Sequence, residues 1–130
     1  MADLDLNKQQ KLAVCSDERN IVVAASAGTG KTTVLVDRVM KKVLEGKADM
    51  DSLLILTFTK AAAQNMKDRL EAALRKRERR EEDADERNRL LQQIDKLQTA
   101  DISTIDSYIN KLVRKYSYRL DIDPEYQILS

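Results

Sequence analysis

Residues 25–32 (ASAGTGKT) combine two glycines, a lysine and a threonine in a spacing suited to phosphate binding. Gly28 and Gly30 tolerate positive φ angles and let backbone amides approach an anion closely. Lys31 supplies a point charge, and Thr32 supplies a hydroxyl that can ligate Mg²⁺. A predicted helix follows, and a helix N-terminus attracts anions. The pattern predicts a P-loop that binds Mg·ATP; the alternative is a glycine-rich turn carrying a chance lysine.

Strands and helices must position this loop. Residues 21–25 (IVVAA), 53–57 (LLILT) and 100–104 (ADIST) are short apolar runs that predict three strands. Apolar stripes at helical spacing predict helices in the segments that precede and follow these runs. Because strands and helices alternate, we expect an α/β fold with a partial parallel sheet flanked by helices.

A charged insertion interrupts this alternation over about residues 71–98. Its most charged part is residues 75–89 (RKRERREEDADERNR), which lacks an apolar stripe. A helix here is expected to be solvated on every face and held mainly by ion pairs three or four residues apart. Leu90, Ile94 and Leu97 restore the stripe.

Composition excludes several classes of protein. The net charge is only +1 although 35% of the residues are charged, so DNA binding must depend on local charge. The absence of histidine excludes a Ser–His–Asp triad and most zinc sites. Cys15 is the only cysteine, which fits a cytoplasmic protein, and we expect it to be buried near a helix end. Neither a signal peptide nor a membrane helix is predicted.

Two segments near the loop resemble superfamily 1 helicases. Ala25 stands where the general P-loop pattern has glycine, as in the AxxGxGKT form of that superfamily. Residues 6–14 (LNKQQKLAV) resemble the LNxxQxxAV segment of UvrD/Rep-like helicases. The resemblance implies a RecA-like P-loop NTPase fold in which Gln10 reads the adenine edge. The alternative is that Gln10 forms a capping box with Asn7.

The resulting nucleotide site covers the loop and its neighbours. Lys31 and Thr32 are the catalytic candidates, and Thr32 is the Mg²⁺ ligand. The nucleotide-binding candidates are Gln10, Ala25, Ser26, Ala27, Gly28, Thr29, Gly30, Lys31, Thr32, Thr33 and Arg38. The acidic strand end that positions the attacking water is not found in this sequence, so we expect negligible hydrolysis by the chain alone.

Residues 54–70 resemble the helicase motif TFTNxAAxEMxxRI, in which a strand end and turn hold single-stranded DNA. The resemblance implies base stacking by Phe58 and phosphate contacts by Thr57, Thr59 and Lys60. Lys60 replaces the usual asparagine, and Asn65 replaces the usual glutamate. The alternative is that Phe58 packs in the core and Thr59 only caps a helix.

Residues 102–108 (ISTIDSY) resemble a third helicase motif, IxTIHSF. Ser103, Thr104, Ser107 and Tyr108 are therefore further DNA-binding candidates. Asp106 replaces the usual histidine and suits a helix N-terminus instead. Four basic residues follow further along the chain: Lys111, Arg114, Lys115 and Arg119. They are candidates for attracting phosphate; the alternative is a plain solvated helix face.

Within the superfamily, the chain resembles the A-type subunits of the AddAB/RexAB helicase–nucleases. This resemblance implies an ATP-dependent DNA helicase and exonuclease acting in double-strand break repair by recombination. Its partners are then single- and double-stranded DNA and a B-type nuclease subunit. Residues 1–130 correspond to the N-terminal part of the ATP-binding domain, and we expect the remaining motor and nuclease domains beyond Ser130. The alternatives are another UvrD/Rep-type fragment, a small stand-alone P-loop protein, or a non-catalytic DNA-binding module.

Overall fold

Two strands pair in parallel and are flanked by helices. The computed structural model describes residues 6–24, 30–123 and 125–127. Its elements are α1 Lys8–Cys15, α2 Lys31–Leu44, a 3-10 turn Met50–Ser52, β1 Leu54–Thr57, α3 Lys60–Arg80, α4 Ala84–Thr99, β2 Asp101–Thr104, α5 Ile105–Lys115 and α6 Ser117–Leu120. The mixed α/β class and the parallel pairing predicted from the sequence are therefore confirmed.

Helix ends coincide with residues that favour them. The Asn7 side chain accepts a hydrogen bond from the backbone of Gln10 and begins α1, as its sequence predicts. Gly46, with φ of +69°, follows the end of α2, where a left-handed residue commonly terminates a helix. The Thr59 hydroxyl accepts from the Ala62 amide and begins α3.

One apolar core joins α2, α3, α4 and β1. Its members are buried side chains on the facing sides of these elements and in the 3-10 turn: Val36, Val39, Met40, Val43, Met50, Ile55, Met66, Leu70, Leu74, Leu90, Ile94 and Leu97. Burying a large aliphatic side chain stabilises a fold by about 1.5–3 kcal/mol. The charged insertion thus supplies part of the core.

The expectation of a single solvated helix over residues 75–89 is wrong. The chain leaves α3 after Arg80, and α4 begins at Ala84 with Asp83 as its cap. The two helices pack on each other because Leu74 and Leu90, at the two ends of the charged run, are both fully buried. Glu78 is also buried and pairs with Arg87 of α4 at 2.6 Å. The insertion is a helical hairpin with a cross-helix ion pair.

The predicted strand at residues 21–25 is not formed in its described part. Residues 21–24 have no regular structure and pair with neither β1 nor β2. Val22 is 95% exposed, and residue 25 lies outside the described residues. A strand of this composition requires apolar cover on both faces, which the described elements do not provide for this segment.

Cys15 ends α1 as expected, but it is exposed, so its predicted burial is wrong. The reason is that α1 has no buried residue. One sheet face is similarly open among the described residues, because Leu54 and Leu56 of β1 remain exposed.

Candidate functional site

The parallel register places two of the predicted motifs at one edge of the sheet. Thr57, the last residue of β1, lies opposite Thr104, the last residue of β2. α3 begins at Lys60 and α5 at Ile105, so both helices begin at this edge. Parallel strands present their carboxyl ends on the same side, which is where ligands bind in open α/β sheets. Segments far apart in sequence therefore form one candidate surface.

Phe58 is the most prominent residue of this edge. Its side chain is 93% exposed, so the alternative that it packs in the core is wrong. Lys60 is also exposed and forms no ion pair among the described residues. An uncovered ring beside an unpaired ammonium group is suited to stacking on a base and attracting the adjoining phosphate.

The hydroxyls at this edge differ in whether their protons are already donated. Thr57 donates to the Thr59 carbonyl oxygen at 2.9 Å, and Ser103 donates to that of Thr104 at 3.2 Å. Thr104 donates to the Ser107 oxygen at 2.8 Å. A hydroxyl has only one proton to give. Thr59 and Ser107 are thus the hydroxyls in this set whose protons have no acceptor within the described part of the chain.

Capping is the structural role of two candidates. The Thr59 and Thr104 hydroxyls each accept a backbone hydrogen bond at 3.1 Å, from Ala62 and Ser107 respectively. The capping interpretation of Thr59 is therefore confirmed, and it leaves the hydroxyl free to donate. Asp106 lies exposed in the first turn of α5, where a negative charge is favourable. Tyr108, two residues further along α5, is half-buried.

The nucleotide site is described only at its helical end. Five of the predicted residues, at positions 25–29, lie outside the described residues. Gly30 is the N-cap of α2 and has φ of +82°, a conformation that favours glycine. Lys31 and Thr32 follow it in the first turn of α2, and both are exposed. This end of the loop is compatible with the predicted P-loop, in which amides at a helix N-terminus bind an anion.

Gln10 lies against the head of α2. A side-chain carbon added at Gly30 would stand 3.1 Å from the Gln10 amide nitrogen. The Gln10 amide oxygen accepts from the Asn7 backbone at 2.8 Å, which completes the capping box and confirms that interpretation. Its adenine contact stays a prediction.

Arg38 holds α1 in place. Its guanidinium donates to the carbonyl oxygens of Ala13 at 2.7 Å and Ser16 at 2.8 Å, at the end of α1. This anchor explains how Gln10 is kept beside Gly30. Thr33 is half-buried, and its hydroxyl accepts a long 3.4 Å bond from Arg69 of α3. Nucleotide contacts by Arg38 and Thr33 stay predictions.

A row of polar residues on α4 was missed by sequence reasoning. Arg89 donates to the carbonyl oxygens of Val43 at 2.9 Å and Leu44 at 3.0 Å, the last two residues of α2. Gln93 accepts from the Met50 backbone at 2.9 Å. Their spacing in the sequence could have indicated this face of α4, because Arg89 and Gln93 immediately precede Leu90 and Ile94 of the buried stripe.

A groove of about 790 Å³ lies between α1, α2 and α3. Its floor is apolar, with Val14, Met40 and Ala73 among its lining residues. Its lining includes Thr33, one of the nucleotide-binding candidates, but not Lys31 or Thr32.

The predicted basic set near α5 is partly paired. Lys111 forms an ion pair with Asp101 of β2. The Arg114 guanidinium lies 5.6 Å from the ring centre of Tyr126, whose hydroxyl donates to Asn110 at 3.0 Å. The described part of residues 123–127 therefore packs on α5 through Tyr126. Among the described residues, the helices are each too short or too polar to cross a membrane.

Comparisons with known proteins agree on one family. The UvrD/REP helicase N-terminal domain family matches residues 6–130. The chain is 43% identical over 129 residues to the A-type subunit of the ATP-dependent helicase/nuclease of Pediococcus pentosaceus, covering 99% of the chain and 10% of that relative. It is 44% identical to the protein of that name from Enterococcus faecalis, and the match covers 99% of the chain and 10% of that relative. A Lactobacillus helveticus protein of the same name is 45% identical, and the match covers 95% of the chain and 10% of that relative.

These matches span most of the chain but only about a tenth of the length of the relatives. The family resemblance read from the three motifs is thereby confirmed. The chain belongs to the UvrD/REP helicase N-terminal domain family.

Proposed function

We propose that the chain is the nucleotide- and DNA-binding front part of the motor in an ATP-dependent DNA helicase/nuclease. The observation that carries this proposal is the register of β1 and β2, which sets Thr57 beside Thr104. Two motifs that resemble DNA-binding segments thus share one edge. The relatives' printed names supply ATP dependence and helicase/nuclease activity, which pass to this chain as part of the proposal.

On the nucleotide side, residues 28–32 cradle the phosphates of ATP. The positive φ of Gly30 and the start of α2 at Lys31 support this arrangement. Mg²⁺ prefers oxygen ligands, and the exposed Thr32 hydroxyl fits that chemistry. Gln10, whose amide nitrogen lies near Gly30, contacts the adenine edge in this proposal. Lys31 neutralises charge on the β and γ phosphates.

On the DNA side, Phe58 stacks on a base of single-stranded DNA, and Lys60 attracts its phosphate. Thr59 and Ser107 donate their hydroxyl protons to phosphate oxygens. Thr57, Ser103 and Thr104 contact DNA only after exchanging the hydrogen bonds described above. Tyr108 completes the edge as a half-buried ring.

In the longer protein, an acidic strand end and a second motor domain complete hydrolysis, and nucleotide turnover alternates the grip on DNA. The proposal includes double-stranded DNA as a substrate, partnership with a B-type nuclease subunit, and double-strand break repair in the cytoplasm as the setting. Residues 71–98 serve as the helical insertion of the ATP-binding domain.

The nucleotide site is tested by thermal unfolding with and without Mg·ATP. Ligand at a hundred times its Kd stabilises a fold by about 2.7 kcal/mol, which for a chain of this size raises the melting temperature on the order of 10 °C. We expect Lys31→Ala to abolish the rise. Lys42→Ala, which removes a lysine from the other end of α2, is the matched control and should retain it. Equal rises in Lys31→Ala and the wild type would refute the site.

A further inference from the structure

α2 carries predicted phosphate-binding residues at one end and accepts side-chain hydrogen bonds at the other. Its N-terminus follows Gly30 and carries Lys31 and Thr32. Its last two carbonyl oxygens, those of Val43 and Leu44, accept hydrogen bonds from the Arg89 guanidinium. Carbonyl groups in the last turn lack partners within the helix. Here the Val43 oxygen also accepts from the Gly46 amide at 3.1 Å, so Arg89 adds to that contact and supplies a partner for Leu44. A cation at this end also complements the helix dipole.

Arg89 is itself fixed in orientation. The Glu86 carboxylate accepts from Arg89 through both of its oxygens, at 2.6 and 2.9 Å. The Arg89 side chain is only 30% exposed. A guanidinium is a planar fork that binds two acceptors in fixed geometry. The contact therefore sets both the position and the direction of the end of α2.

The same face of α4 holds the chain that follows α2. Gln93, one turn beyond Arg89, bonds to the Met50 backbone and to the Asp49 carboxylate at 2.7 Å. Lys96 pairs with the other Asp49 oxygen at 2.7 Å. α4 then runs almost directly into β2, with only Ala100 between them. One helix thus contacts the end of α2 and leads to the proposed DNA edge.

From this arrangement we propose that Arg89 is a positioning residue for the nucleotide site, which acts by fixing α2 along its axis. This inference rests on the proposed nucleotide function. A helix of 14 residues is a rod about 20 Å long. Releasing its C-terminus lets its N-terminus shift or tilt. Phosphate binding by convergent amides depends on their placement, so the affinity for Mg·ATP falls although Arg89 touches no nucleotide.

The test measures the Kd of the 130-residue chain for a fluorescent ATP analogue with Mg²⁺. All variants are compared well below their melting temperatures, so that lost stability alone does not change the Kd. Arg89→Met should weaken binding about threefold to tenfold, within the range by which residues remote from a ligand alter coupling. Arg89→Lys keeps the charge but loses the fork, and should recover only part of the affinity.

Arg87→Met is the matched control. Arg87 lies on α4 two residues earlier and bonds to Glu78 of α3, not to α2. Its replacement should leave the Kd unchanged. Glu86→Gln removes the carboxylate that orients Arg89 and is a milder variant, expected to weaken binding about twofold to threefold.

Two failures are distinguishable. In the first, Lys31→Ala abolishes binding of the ATP analogue, but Arg89→Met and Glu86→Gln bind it as tightly as the control Arg87→Met. Arg89 then has no positioning role, even if the melting temperature of Arg89→Met falls. If Lys31→Ala binds as well as the wild type, or the wild type does not bind, the proposed nucleotide site fails and this inference fails with it.

Discussion

Replacing Phe58 by alanine separates a DNA-binding role from a structural one. The ring is 93% exposed, so folding covers only about 7% of its surface. For an aromatic side chain of about 200 Å² this is about 14 Å², which contributes about 0.4 kcal/mol to stability. Base stacking on an aromatic ring contributes about 1–3 kcal/mol. The two effects differ enough to be measured separately.

We therefore expect Phe58→Ala to leave the melting temperature within about 3 °C of the wild type. Its affinity for a labelled oligothymidine, measured by fluorescence anisotropy at fixed salt, should fall about fivefold to 150-fold. Phe58→Tyr keeps a ring and should retain most of the affinity.

Tyr118→Ala provides the control for removing an exposed ring. Tyr118 is 70% exposed and lies on α6, outside the edge formed by the two strand ends. Its loss should change oligothymidine binding by less than about twofold. Equal affinities for Phe58→Ala and the wild type would show that the ring does not stack, and an equal loss in Tyr118→Ala would show that the effect is not specific to this edge.

Two further predictions concern the insertion hairpin. Leu90→Ala should lower the free energy of unfolding by about 2–5 kcal/mol because Leu90 is fully buried, whereas Leu91→Ala, at a position that is 42% exposed, should cost far less. Urea unfolding measures both, and equal small losses would indicate a solvated helix. The hydrogen bond and charge of Lys96 lower the pKa of Asp49 below its ordinary 3.8. The stabilisation is then present above pH 3.8 and lost as the pH falls through the lowered pKa of Asp49. The difference in unfolding free energy between the wild type and Asp49→Asn should therefore be present at about pH 7 and narrow as the pH falls below 3.8. A difference that does not narrow there would contradict this linkage.

Much of the fold follows from local sequence signals. Asn7 and Thr59 are strong helix caps, and both begin helices where the sequence predicts. The apolar runs that became β1 and β2 were identifiable because each lies between helical segments of clear periodicity. These signals are local, since capping and periodicity involve only residues within one or two turns.

Other features depend on contacts that local patterns do not contain. The run at residues 21–24 has the composition of a strand, yet it has no strand partner in the described structure. The break between α3 and α4 also escaped the sequence reasoning, because a run of charges has no period to mark a change of direction. The Arg89 contact with Val43 joins residues 46 apart in sequence, and only the packing of the hairpin brings them together.

The insertion is part of the connection between the two parallel strands. A parallel pair needs a crossover of about a dozen or more residues, and here residues 58–100 form it. Closing a longer loop costs only about 0.6 kcal/mol of free energy for each doubling of its length. Burial of Leu70, Leu74, Leu90 and Leu97 within this crossover stabilises the fold by far more than that. Both proposed DNA segments lie at one end of that sheet. The charged hairpin is therefore part of what joins them, and its buried leucines pack in the same core as β1.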